Sequence, residues 1–149
     1  MDKIDAKLVR LLSENADVTT SSLVTKLNLS VPAINKRIAR LKANGIVKKA
    51  TILTDARKIG KEVMAYVMIV LEKFSNSEEF LKMADADPDV LECYAIAGEY
   101  DYIMKICAAD IDALENKLLK MKRNGIAKSS TLFALREYKF APTILPDEM

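Results

Sequence analysis

The chain has 149 residues, half of them hydrophobic and 30% charged, with a net charge of +2. Those values exclude a disordered or collagen-like chain and suit one ordinary domain or two very small ones. There is no histidine and there are only two cysteines, Cys93 and Cys107, which excludes histidine bases and histidine nucleophile pairs, argues against a zinc site or disulfide scaffold, and fits a reducing cytosol.

The longest apolar run, residues 63–71, has nine residues, where a membrane span needs about 20. The opening Met1-Asp2-Lys3-Ile4-Asp5 has no apolar stretch of the kind a secretion signal carries. The expectation is a cytoplasmic protein with no membrane partner, no metal, no cofactor and no enzymatic activity. Charge is divided unevenly. Residues 1–60 hold 12 Lys/Arg against 5 Asp/Glu, a net +7, and residues 61–149 hold 11 against 16, a net −5. Between Val18 and Thr54 there is no acidic residue and there are seven basic ones. A solvated lysine-rich face would look similar, but so many cations without an acid favour a surface that meets phosphate.

In the first part, Ile4, Leu8, Leu11 and Leu12 recur at helical spacing and predict an amphipathic helix over residues 3–14, capped by Asp2 and favoured at its start by Asp5. Thr20 or Ser21 is the expected N-cap of a short second helix running to about Lys26. Asn28-Leu29-Ser30 is a tight turn, and Ser30 caps a third helix that carries Pro32 in its first turn and ends at Gly45. Ile34, Ile38 and Leu41 share one side of that helix, while Ala33, Lys36, Arg37, Arg40 and Asn44 share the other. Two helices joined by so short a turn, after a supporting helix, have the pattern of a helix-turn-helix. A small residue beside long cations suits close approach to a groove. Ile46-Val47 and Thr51–Thr54 read either as a wing hairpin or as a link to the second half. The expected domain boundaries are 1–54 for DNA binding, 55–62 for a linker, 63–140 for a second domain and 141–149 for a tail.

The second part predicts a strand over 63–74, a helix from Glu78 to Ala86 capped by Ser77, strands over 90–97 and 102–108, a helix capped by Asp110, and a last strand over 129–138. Phe80, Leu81 and Ala84 are expected to face inward from the first of these helices, and Ile111, Leu114, Leu118 and Met121 from the second. The order βαββαβ is that of a ferredoxin-like domain, so the fold class is α+β. Such a sheet carries helices on one face only. The other face, with Tyr66, Met68 and Val70, calls for a cover, and a second copy is the expected one.

Three stretches together resemble the Lrp/AsnC family of transcription regulators, also called feast/famine regulators. They are Met1–Asp5 through Leu11-Leu12 with Asn15-Ala16; Leu29-Ser30, Ile34, Arg37-Ile38, Leu41 and Gly45-Ile46-Val47; and Glu92-Cys93-Tyr94 followed by Gly98-Glu99-Tyr100-Asp101-Tyr102. The resemblance implies a winged helix-turn-helix followed by a RAM-type ferredoxin-like domain. It implies a sequence-specific regulator that binds pseudo-palindromic double-stranded DNA as a homodimer, or as a tetramer or octamer built from dimers. With the face of the third helix read above, the expected DNA contacts are Thr20, Ser21, Ser30, Ala33, Lys36, Arg37 and Arg40. It also implies an amino-acid effector held by Ala97, Gly98, Glu99, Tyr100 and Asp101, with Thr131 and Leu132 as a neighbouring wall. Backbone N–H groups of such a turn can hold a carboxylate, and Asp101 can accept from an ammonium group. A tight strand connection in which Asp101 satisfies nearby backbone explains the same residues. The chain departs from the family pattern at Lys42, where glutamate is usual, at Asp17, where arginine is common, and at Ala97, where threonine is frequent. A different reading is an architectural DNA-binding protein without an effector.

Overall fold

The structure, a computed structural model, describes residues 1–147. The chain divides into two compact units, Met1–Leu53 with the described chain from Lys139 on, and Thr54–Tyr138. Among the described residues no helix is long and apolar enough to cross a membrane.

The first unit is three helices, α1 (Lys3–Glu14), α2 (Thr20–Leu27) and α3 (Val31–Ala43). Asp2 caps α1 by accepting from the Asp5 N–H at 2.8 Å, and Asp5 returns the bond by accepting from the Asp2 N–H at 3.2 Å, a reciprocal box that serves two otherwise orphaned donors. The N-cap of α2 is Thr19, whose hydroxyl accepts from the Ser22 N–H at 3.3 Å. The cap expected at Thr20 or Ser21 therefore lies at Thr19, because a cap bonds the N–H groups two or three residues on. Asn28 closes α2 in the left-handed conformation at φ 53°, and the chain turns directly into α3. Ser30 holds the cap position of α3 without a side-chain cap bond. Leu8, Val9, Leu23, Leu27, Ile34 and Leu41 form the buried core. Gly45 sits at φ 69°, and beyond it residues 46–54 form no strand. No hairpin forms over these residues: Val47 N–H bonds back to Leu41 and Val47 packs against the helical core, while Ile52 is 81% exposed, too little burial to offset the cost of pairing two short strands.

The second unit is built from β1 (Val63–Leu71), α4 (Ser77–Ala86), β2 (Val90–Ala95), β3 (Tyr102–Ala108), α5 (Ile111–Lys122) and β4 (Ile126–Phe133). The strands form one sheet in the order β2-β3-β1-β4, and every neighbouring pair is antiparallel. This is the ferredoxin-like arrangement. Ala65, Val67, Ile69 and Leu71 of β1 and Tyr102, Met104, Ile106 and Ala108 of β3 pack with Phe80, Ala84, Leu114 and Met121 from the helices. The residues between them on β1, Met64, Tyr66, Met68 and Val70, occupy the opposite, helix-free face. Tyr66 lies between Lys105 and Leu132, and Met68 between Ile103 and Ser130.

Several boundaries differ from expectation. β1 stops at Leu71, and Phe74 stands 92% exposed in a single helical turn. β2 ends at Ala95. β4 covers 126–133 instead of 129–138, because its partner sets its length: Leu71 pairs with Ile126 at one end and Ala65 with Phe133 at the other. Ser77 is the first residue of α4 and its hydroxyl donates to the Phe74 carbonyl at 2.6 Å, leaving Asn76 at the cap position. Leu81 and Ile111, expected to face inward, are 44% and 63% exposed: Leu81 borders an open cleft over β2 and Ile111 is the first residue of its helix.

Candidate nucleic-acid interface and effector loop

The helix-turn-helix presents α3 by burying Ile34 and Leu41 and half-burying Ile38 against α1 and α2. Thr20 of α2 donates its hydroxyl to the Asn35 side-chain oxygen at 3.1 Å, tying the two helices of the motif together. Ser21, Ser30, Lys36 and Arg40 are exposed, and Ala33 is half-buried. Arg37, of the same expected row, is half-buried.

Both arginines are engaged by carboxylates of α1. Arg37 Nη1 lies 2.6 Å from Asp2 Oδ2 and 2.6 Å from Asp5 Oδ1. Arg40 Nη2 lies 2.7 Å from Asp5 Oδ2. Asp5 is a buried charge at 2% exposure. Burial alone would raise its carboxyl pKa, but the bonds from Arg37 and from the Asp2 backbone outweigh that and hold it below the ordinary value. The Arg37 hydrogen bond holds the Asp2 carboxyl down likewise, and the two carboxylates raise Arg37 in turn. Asp5 was not among the residues singled out as functional, yet a signal was present: it shares the apolar side of α1 with Leu8, Val9 and Leu12, and a carboxylate there demands a cation. Among the described residues, Lys26, Lys36, Lys42, Lys48 and Lys49 form no ion pair, so they are the cations open to a polyanion.

The second candidate site is the connection between β2 and β3. Ile96 N–H bonds to the Asp101 carbonyl at 2.9 Å, and Asp101 N–H bonds to the Ile69 carbonyl at 2.9 Å. Gly98 adopts φ 144°, a conformation that favours glycine. Asp101 Oδ2 accepts from the Leu71 N–H at 2.8 Å. That N–H points toward β3, two residues past the last pair of the β1–β3 ladder, Ile69 with Tyr102, so the carboxylate serves backbone that the end of β3 leaves unpaired. Lys128 Nζ lies 2.8 Å from Glu99 Oε1 and 4.9 Å from the centre of the Tyr100 ring. Its hydrogen bond holds the Glu99 carboxyl below its ordinary value, and Glu99 raises Lys128. Lys128 is a loop partner that sequence reasoning missed, because β4 was expected to begin after it.

Gly98, Glu99, Tyr100 and Asp101 are thus brought together with Lys128, while Ala97 is exposed beside them. Thr131 and Leu132 lie three and four residues farther along β4. Thr131 is opposite Val67 on the helix-bearing face and Leu132 opposite Tyr66 on the open one, so they do not share a surface with each other. A cleft of about 400 Å³ between α4 and β2, lined by Leu81, Ala84, Val90 and Cys93 among others, includes none of these loop residues.

The winged helix-turn-helix DNA-binding profile matches residues 1–48, and the Lrp/AsnC ligand binding domain profile matches residues 64–144. The chain belongs to the Lrp/AsnC family. Its relatives include the glutamate uptake regulatory protein of Zymomonas mobilis, 34% identical over 98% of this chain and 90% of that protein. The DNA-binding transcriptional activator DecR of Escherichia coli is 32% identical over 99% of each. Among solved structures, a transcriptional regulator of Neisseria meningitidis in complex with L-methionine superposes with a TM-score of 0.91 at 25% identity, covering 97% of this chain and 96% of that one. A feast or famine regulatory protein of Mycobacterium tuberculosis complexed with L-methionine gives 0.90 at 27% identity, covering 97% and 99%. As an Lrp/AsnC protein the chain is a DNA-binding transcriptional regulator and not an enzyme.

Proposed function

We propose that this regulator binds pseudo-palindromic operators in the cytoplasm as a homodimer or an assembly of dimers, and that an amino acid bound at residues 97–101 modulates it. One observation carries the DNA half: exposed, unpaired lysines cluster on an acid-free stretch around α3, a surface suited to phosphate. Lys36 and Arg40 reach for the duplex from α3, Ala33 allows close approach, and Thr20, Ser21 and Ser30 flank the backbone. The helix-free sheet face, with Tyr66 37% exposed, supports self-association. The effector half is supported by the two relatives solved with L-methionine and by the loop's mix of carboxylates, ammonium and glycine backbone; of the two expected wall residues, Leu132 lies on the open face with Tyr66 and Thr131 on the helix-bearing one.

A thermal-shift panel of the twenty amino acids, with calorimetry on each hit, tests it. A ligand at a hundredfold its Kd adds about 2.7 kcal/mol. A selective hit supports the sensor; no hit removes it. The architectural, effector-free reading is favoured by Asp101 already spending one oxygen on the Leu71 N–H. Footprinting separates the two, since discrete protected sites belong to a sequence-specific regulator and continuous protection to a coating protein.

A further inference from the structure

The two arginines of α3 share a counter-anion but are held unequally. Arg37 has 22% of its side chain exposed, and its Nη1 serves two carboxylates. Arg40 has 53% exposed and makes a single ion pair, to Asp5 Oδ2. Suppose Arg40 leaves. Asp5 then still holds Arg37 on Oδ1 and the Asp2 N–H on Oδ2, so no buried carboxylate oxygen is orphaned. Suppose instead that Arg37 leaves. Asp2 then loses its cation, and Oδ1 of a carboxylate only 3% exposed loses its partner. Breaking an exposed single pair costs little, whereas stripping a buried charge of its partner is expensive. A DNA phosphate offers either arginine a comparable new anion, so the cost of leaving decides which one goes.

We propose that Asp5 divides the labour on α3. Arg37 stays on α1 as a positioning residue when DNA is bound, and Arg40 is the arginine released to phosphate, with Asp5 storing it until then. The proposal rests on the reading that α3 meets DNA, and it takes Arg37 out of the DNA contacts expected from the sequence. Asp2 and Asp5 then act as a fixed anion that fastens the helix and a temporary one that screens its free end. Asp5 also competes with the duplex for Arg40, so neutralising it favours binding to any sequence.

The test uses the full chain and a fluorescent mixed-sequence duplex, with binding followed by anisotropy over a range of salt. Arg40→Gln is expected to lower the slope of log affinity against log salt by about 0.9 for each copy seated on DNA. Arg37→Gln is expected to leave that slope unchanged. Asp5→Asn is expected to keep the slope and tighten binding a few-fold. In parallel, arginine side-chain NMR of the wild type, assigned with Arg40→Gln, should show the Arg40 guanidinium signal moving on saturation with duplex and the Arg37 signal staying in place. The NMR arm decides if Arg37→Gln does not fold. Equal losses of slope in both arginine variants, movement of both signals, or weaker binding by Asp5→Asn overturns the proposal. Failure of the wild type to bind any duplex at low salt is a different result, and it removes the DNA reading itself.

Discussion

Asp101 invites removal to test the effector loop, and the structure dictates what each replacement does. Its Oδ2 accepts from the Leu71 N–H at 2.8 Å, and Leu71 is 8% exposed. Asp101→Ala leaves that donor without a partner just past the end of the β1–β3 ladder. The cost of such an orphan is about 1–3 kcal/mol. For a unit of this size each kcal/mol moves the melting temperature by about 4–8 °C, so the alanine variant should melt about 4–24 °C below wild type. Asp101→Asn keeps an oxygen in the same place and loses only the charge assistance, which roughly halves the bond. It should fall by no more than about 1 kcal/mol. Differential scanning calorimetry of the three proteins, without added ligand, measures both drops. An alanine variant within about 1 °C of wild type, or an asparagine variant as unstable as the alanine one, refutes the role given to this bond. The comparison also selects the variant for ligand work: loss of an amino acid's binding in Asp101→Asn reports on charge, whereas loss in Asp101→Ala reports on a disturbed strand.

Phe80 is 1% exposed and its ring centre lies 4.9 Å from that of Tyr102, so Phe80→Ala should cost about 3–5 kcal/mol in urea unfolding; a cost below about 1 kcal/mol would show that the site collapses around the hole. Gly125 sits at φ 83°, and a Cβ there would run into the Asn76 side-chain amide. Gly125→Ala should lose about 1–3 kcal/mol, part of it restored by adding Asn76→Ala, and no restoration would mean that backbone strain is the whole effect. The carboxyls of Asp2 and Asp5 titrate below their ordinary range when folded. Their contribution is therefore present above about pH 4 and is lost as pH falls through the lower folded values. Stability of Asp5→Asn should fall less steeply than wild type over that acid range, and parallel curves from pH-dependent chemical denaturation would contradict the network.

The helices were legible because each buries one stripe against one core, and periodicity reports that directly. Helix ends were less so. Thr19, Thr20 and Ser21 are all competent caps by residue type, and only the backbone at Thr19 distinguishes them. Strand limits were set by partners and not by composition: the apolar residues after Phe133 look strand-forming, but β1 offers them almost no further backbone to pair with. The hairpin considered over 46–54 does not form for a related reason: Val47 packs on the helical core while Ile52 stays exposed. Of the candidate sites, the exposed row on α3 was readable from helical spacing, while its ion pairs with Asp2 and Asp5 required two helices to be placed side by side. The cluster of Glu99, Tyr100 and Lys128 depends on a register that local sequence does not encode.

The box formed by Asp2 and Asp5 has a practical side for anyone producing the protein. The residues that fasten α3 are the second and fifth of the chain, and Met1 beside them is 58% exposed. A peptide fused ahead of Met1 therefore emerges next to the surface assigned to DNA. A polyhistidine tag placed there adds titrating cations to a chain that has no histidine of its own, within reach of the same two carboxylates. Affinities measured with such a tag attached would rise as the buffer is made more acidic through the histidine range, and the trend would belong to the purification handle.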